Sequence, residues 1–109
     1  MALEYEYPGK DRTYKDLGEI YGKSSKHTNR EMMERALDCM DRAIGLNGQD
    51  DFYYTTRAAI HCDIHQYEDA LRDIEKALEL NGKNGYAPLL ELQILFLRKK
   101  PEIIEKIKL

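Results

Sequence analysis

The sequence predicts an all-α chain folded as a superhelical stack of helical hairpins, about five to six helices in all. Three observations carry that reading. Sliding the chain by 34 residues sets Met33–Gly48 on Tyr67–Gly82 with seven of sixteen positions identical, and a fixed period of that length marks stacked supersecondary units. Both copies place alanines seven apart, Ala36/Ala43 and Ala70/Ala77, two turns along one face, where a second helix can approach closely. The composition, 42% hydrophobic and 34% charged with three prolines in 109 residues, suits one folded helical domain rather than a disordered chain.

Residues 1–10 read as an N-terminal extension and 11–109 as the domain, with repeats at about 11–50 and 51–84 and an incomplete third, capping unit at 85–109. Asp11 or Thr13 opens the first helix. The polar stretch from Gly22 to Asn29 reads as a lengthened loop, after which the capping box Thr28-x2-Glu31 restarts the chain before Met32 and Met33. Asp50 or Asp51 caps a helix from about Phe52 to Ile64, with Tyr54, Ala58 and His61 on one stripe, and His65-Gln66 makes the next turn. The second helix of each repeat stops at Asn-Gly (Asn47-Gly48, Asn81-Gly82), a signal for a left-handed cap. Tyr86 to Lys99 continues in register as a further first helix, starting near Pro88. Pro101 is expected to break it and open a short last helix, Glu102 to Lys108, with Ile103, Ile104 and Ile107 apolar.

Within this frame Tyr14-x2-Leu17-Gly18-x2-Tyr21 resembles the W-x2-L-G-x2-Y signature of the tetratricopeptide repeat, an aromatic standing in for the tryptophan. Tyr67, Ala70, Ile74, Ala77 and Leu80 are similar to the second-helix half of that motif. The chain departs from the pattern in three ways: six residues are inserted between Tyr21 and Ala36, Arg57, Ala58 and His61 replace the Leu, Gly and Tyr, and Gly replaces the terminal Pro. The resemblance implies hairpins stacked through nearest-neighbour contacts, and a protein-binding role without catalysis. It also sets one sub-class aside. Relatives that grip a C-terminal carboxylate carry a Lys/Asn/Asn/Lys/Arg clamp, of which only Lys15 matches; Glu19, Thr56, Tyr86 and Leu90 fill the other places.

The formal charge of −3 supplies no positive field to attract nucleic acid, and the basic residues from Arg98 to Lys108 read as a solvated helix end. The start lacks the basic-then-apolar pattern of an export signal. The most apolar run, Leu89 to Leu97, is too short to span a bilayer. The expectation is a cytoplasmic protein, with no membrane and no nucleic acid among its partners, and with Cys39 and Cys62 as buried reduced thiols; one disulfide between them stays open at this stage. His61, Cys62 and His65 are the cluster with metal-ligand residue types. Such a site needs three or four ligands and the sequence ties no further one to it, so no metal and no cofactor are expected. No phosphate loop, nucleophile elbow or paired CxxC occurs. Glu68, Asp69, Asp73, Glu75 and Glu79 read as the solvent side of an amphipathic helix, and Met32, Met33 and Met40 as core.

The surface left for function is the concave side, lined by the first helix of each unit. Its open stripe is Arg12, Lys15, Glu19 and Gly22 on the first, Phe52, Thr55, Ala59 and Cys62 on the second, and Tyr86, Leu89, Gln93 and Phe96 on the third. One wall is charged and the other aromatic and aliphatic, which suits a peptide or protein partner with an apolar anchor and an acidic flank. The alternative is self-assembly. The third first-helix is apolar on nearly every side, with Leu89, Leu90, Leu92, Ile94, Leu95, Phe96 and Leu97, which a one-sided contact cannot bury; a homodimer through the C-terminal helices would cover it.

Overall fold

The computed structural model describes residues 8–25 and 30–107, and only the backbone of 22–25 and 103. Among these residues there is no strand, and five helices follow one another: α1 (Lys10–Ser25), α2 (Arg30–Leu46), α3 (Asp51–Asp63), α4 (Tyr67–Leu80) and α5 (Tyr86–Ile107). Two hairpins, α1/α2 and α3/α4, are followed by a single helix.

The pairing inside each hairpin follows from its small residues. A Cβ added at Gly18 of α1 would lie 2.8 Å from Met40 Sδ and 3.3 Å from the Ala36 carbonyl oxygen, so the glycine is what lets α2 lie this close. Tyr14, Met33, Ala36, Met40 and Ala43 form the first core cluster, with Leu17 and Tyr21 packed on it. In the second hairpin Ala58, Cys62, Ala70, Ile74 and Ala77 do the same. Each fully buried Met33, Met40 or Ile74 contributes about 1.5–3 kcal/mol of hydrophobic stabilisation.

The hairpins join in the register the repeat predicts. Tyr53 and Ile60 of α3 complete the first cluster, and Ala87 and Ile94 of α5, each 34 residues on, complete the second. The polar joints recur in step. Asn47 Nδ2 donates to Asp11 at 3.3 Å and Asn81 Nδ2 to Asp51 at 3.3 Å, so the end of each second helix is latched to the first turn of its partner. Asp50 accepts the Phe52 N–H at 3.0 Å, and Asn84, 34 residues later, accepts those of Tyr86 and Ala87, both at 3.0 Å. Each cap satisfies helix N–H groups that have no partner inside the helix.

Several expectations need correction. α5 runs unbroken through Pro101, because the ring removes one backbone bond from a solvent-exposed helix whose flanking residues are good helix formers and pair across it, Lys99 with Glu102 at 3.6 Å. α5 also begins at Tyr86, two residues before Pro88, under the Asn84 cap. The Asn-Gly pairs do not adopt the left-handed conformation; among the described residues only Gly9 and His65 have positive φ. Asn81 is extended (φ −151°, ψ 97°), its N–H bonds to Ala77 O, and its side-chain oxygen accepts the Lys83 N–H at 3.0 Å. The asparagines thus end their helices through their side chains, and the left-handed turn falls instead at His65, with φ 64°. α1 starts at Lys10, and Thr13 is inside it, its N–H bonded to Gly9 O at 3.1 Å. α1 continues to Ser25, so the first half of the expected loop is helix. The rest of that loop, residues 26–29, and the Thr28 end of the capping box lie outside the described residues, as does the side chain of Ile103.

Candidate functional site

The first helices α1, α3 and α5 hold the twelve groove positions, and apart from Gly22 they fall into three kinds. On α1, Arg12 is exposed, while Lys15 and Glu19 bond to each other across one turn at 3.0 Å, both partly covered. That pair neutralises much of the charged wall and leaves Arg12 as its outlying cation. On α5 and at the start of α3, Phe52, Tyr86, Leu89, Gln93 and Phe96 are all exposed, with 55% of Phe52 and 59% of Phe96 accessible. Phe52 and Tyr86 stand 34 residues apart at matching first-turn stations. Burial first, then the nearby Asp63 carboxylate and Cys62 thiol, raise the Tyr86 phenol above its usual range.

The third kind is a correction. Thr55 is 1% exposed, its hydroxyl bonded to the carbonyls of Phe52 at 3.0 Å and Asp51 at 3.4 Å, and Cys62 is buried as well. Ala59 is half-buried and packed on the second cluster. α3 is the middle helix, covered from both sides, so its open arc shrinks to its N-terminal end. Leu90, one of the mismatched clamp places, is also buried.

Asp73 is the other misplaced residue. Expected on the solvent side of α4, it is 5% exposed. Arg57 of α3 grips it with two bonds, Nε to Oδ2 at 2.8 Å and Nη2 to Oδ1 at 2.7 Å, and reaches Asp41 of α2 through Nη1 at 2.9 Å. The Asp73 bonds are the main reason the guanidinium is held above its ordinary pKa, with burial opposing them. His61 Nε2 lies 3.7 Å from Asp73 Oδ2, and its Nδ1 is 2.7 Å from Gln66 Oε1. The one sequence signal for this network was the arginine standing where the repeat pattern has a leucine.

The metal-type cluster does not converge. His61 is tied to Gln66, and His65 is exposed with Nδ1 2.7 Å from the Tyr67 hydroxyl. Among the described residues no three His, Cys, Asp or Glu side chains come together as a metal-holding group. Cys39 and Cys62 are free thiols in separate core clusters. Burial, with Asp38 beside the first and Asp63 beside the second, pushes both thiols up and disfavours the reactive thiolate. No described helix is long and apolar enough to cross a membrane. No family model matches the chain.

Proposed function

We propose that this chain is a protein-protein interaction module of tetratricopeptide-repeat type, a cytoplasmic adaptor, scaffold or co-chaperone-like factor without catalytic activity. Its groove takes a peptide or protein partner through Phe52 on one helix and Tyr86, Leu89, Gln93 and Phe96 on the next. The supporting observation is the run of exposed large apolar side chains along α5, with Phe52 of α3 at the station matching Tyr86, on a fold whose core is filled elsewhere. Exposed apolar patches of this kind mark binding surfaces on soluble proteins, and aromatic anchors carry most of the energy at such surfaces. Arg12 at the rim favours an acidic flank on the ligand.

The test is affinity capture from the source cells with the wild-type chain and with Phe52→Ser and Phe96→Ser variants, whose exposed positions should leave the fold intact. The reading expects one stoichiometric partner, lost with either substitution while the circular dichroism melt is unchanged. A partner retained equally by both variants would remove these residues from the binding surface.

A further inference from the structure

Among the described residues, seven of the ten exposed large apolar side chains lie on α5: Tyr86, Leu89, Leu92, Leu95, Phe96, Ile104 and Ile107. The repeat register explains the placement. α5 lies on α4 and α3 through Ala87, Leu90 and Ile94, as α3 lies on the first hairpin through Tyr53 and Ile60. α3 then turns Tyr54, Ala58, Ala59 and Cys62 to the cluster it shares with its own partner α4. Those stations recur 34 residues later as Pro88, Leu92, Gln93 and Phe96. They are open, with Leu92 64% exposed; α5 is a first helix whose flank stands uncovered among the described residues.

Two features define what fits there. Of the α3 stations Ala58, Ala59 and Cys62 are small and admit the alanine face of α4, whereas their counterparts Leu92 and Phe96 are large. An occupant must therefore offer holes between its own side chains, and Leu89, Leu92 and Phe96 have the three-four spacing of a knobs-into-holes seam. The same line then continues into Lys99 and Lys106, with Lys100 beside it; the Lys99–Glu102 pair at 3.6 Å is exposed on both sides and screens it little. A second copy of α5 set parallel would oppose these lysines with their own counterparts. Set antiparallel, it would press them on the leucines.

The closed flank shows the arrangement that works. α4 runs antiparallel to α5 across a short turn, and Glu68 in its first turn meets Arg98 at 3.1 Å. Acidic residues at a helix start also suit its positive dipole end. We propose that the open flank of α5 binds an amphipathic helix of another protein, antiparallel to it. Acidic first turns of that helix lie beside Lys99, Lys100 and Lys106, and its leucine-rich later turns take Leu89, Leu92 and Phe96. The inference rests on the interaction-module reading, and this flank shares Leu89 and Phe96 with the proposed groove.

The probe is a synthetic three-heptad peptide with Glu at the core positions of its first heptad and Leu at the rest, set against a counterpart carrying Lys for Glu. Both are titrated by fluorescence anisotropy with the full chain. The Glu peptide should bind roughly tenfold tighter than the Lys peptide, and the contrast should shrink at high salt. Leu92→Glu should weaken binding roughly tenfold or more at an unchanged melting temperature, because the residue is exposed. The Lys99→Glu/Lys106→Glu double variant should reverse the preference. Phe52→Ser, at the α3 end of the groove and off this flank, should change nothing, which separates binding along α5 alone from binding across the whole groove. Equal affinity for the two peptides, no binding at about millimolar peptide, or insensitivity to Leu92→Glu would overturn the proposal. So would a doubled molar mass that Leu92→Glu abolishes, since a second copy would then hold the face.

Discussion

In the first hairpin Leu17 of α1 packs on the cluster that holds Cys39 of α2, whereas in the second Arg57 and Asp73 occupy the corresponding stations, 40 and 34 residues later. The difference between the two offsets is the six-residue insertion between Tyr21 and Ala36. Leucine and cysteine add only apolar packing to a cluster that α3 joins through Tyr53 and Ile60. The arginine also reaches Asp41, so the charged version ties α2, α3 and α4 into one unit across the boundary between repeats. A buried bidentate pair adds little net stability over an apolar one, but breaking it is costly. The second hairpin therefore trades tolerance for a directional joint.

The largest expected effect tests that trade. Asp73→Ala should cost about 3 kcal/mol, the low end for a broken buried pair because Arg57 keeps Asp41 and some solvent. Rebuilding the first hairpin's chemistry with Arg57→Leu/Asp73→Cys should recover the loss to within about 1 kcal/mol. Urea titrations of the single and double variants decide it; a double variant no better than the single would mean the two joints are not interchangeable. Next in size is Ala70→Leu, which overfills a fully buried station and should cost about 1–3 kcal/mol. An unchanged melting temperature would break the equivalence drawn between the alanine faces of the two hairpins.

Smaller effects sharpen the contrast between the turns. The second hairpin turns through His65 at φ 64°, a backbone region that glycine enters at no steric cost. His65→Gly should raise stability by about 0.5 kcal/mol after loss of the Tyr67 hydrogen bond, read by denaturant midpoint; a drop would show that this bond outweighs the backbone strain. The least is a pH effect at the latch. The Tyr53 hydroxyl, 2.6 Å away, is the main reason the Asp11 carboxyl sits below its usual range. A depressed folded value means stability that is present above about pH 4 and lost as pH falls through it. Tyr53 itself is raised, first by burial and then by Asp11, so its share is present below about pH 10 and lost above. Tyr53→Phe should flatten both limbs of the melting-temperature profile, and an unaltered acid limb would assign it to other carboxylates.

Periodicity carried most of the architecture, because the repeat is a packing unit and its spacing is a property of the helices themselves. Ala36, Ala43, Ala70 and Ala77 could be placed in the core from their seven-residue spacing alone, and the cap of α3 could be narrowed to Asp50 or Asp51, of which Asp50 makes the bond. What was not legible depended on neighbours distant in sequence. Thr55 looked open because a stripe on one helix says nothing of how many helices surround it. Asp73 looked solvated because its partner sits on another helix. Asn47 and Asn81 looked like left-handed caps because residue type alone does not reveal that Asp11 and Asp51 recruit their side chains. Pro101 weakens α5 without ending it, because the lost backbone bond falls on a solvent-exposed stretch of helix.

Beyond Leu97 every described side chain of α5 is exposed, and the Arg98–Glu68 pair is the last bond described between this helix and the rest of the fold. The remaining turns must stand on local helix propensity, which is marginal at that length and further weakened by the proline. Amide exchange along α5 should therefore fall off as a gradient, slow up to Leu97 and fast toward Ile107, opening without the rest of the domain. A polypeptide laid against those turns would be detected first as slowed exchange there, before any change in the melting of the two hairpins.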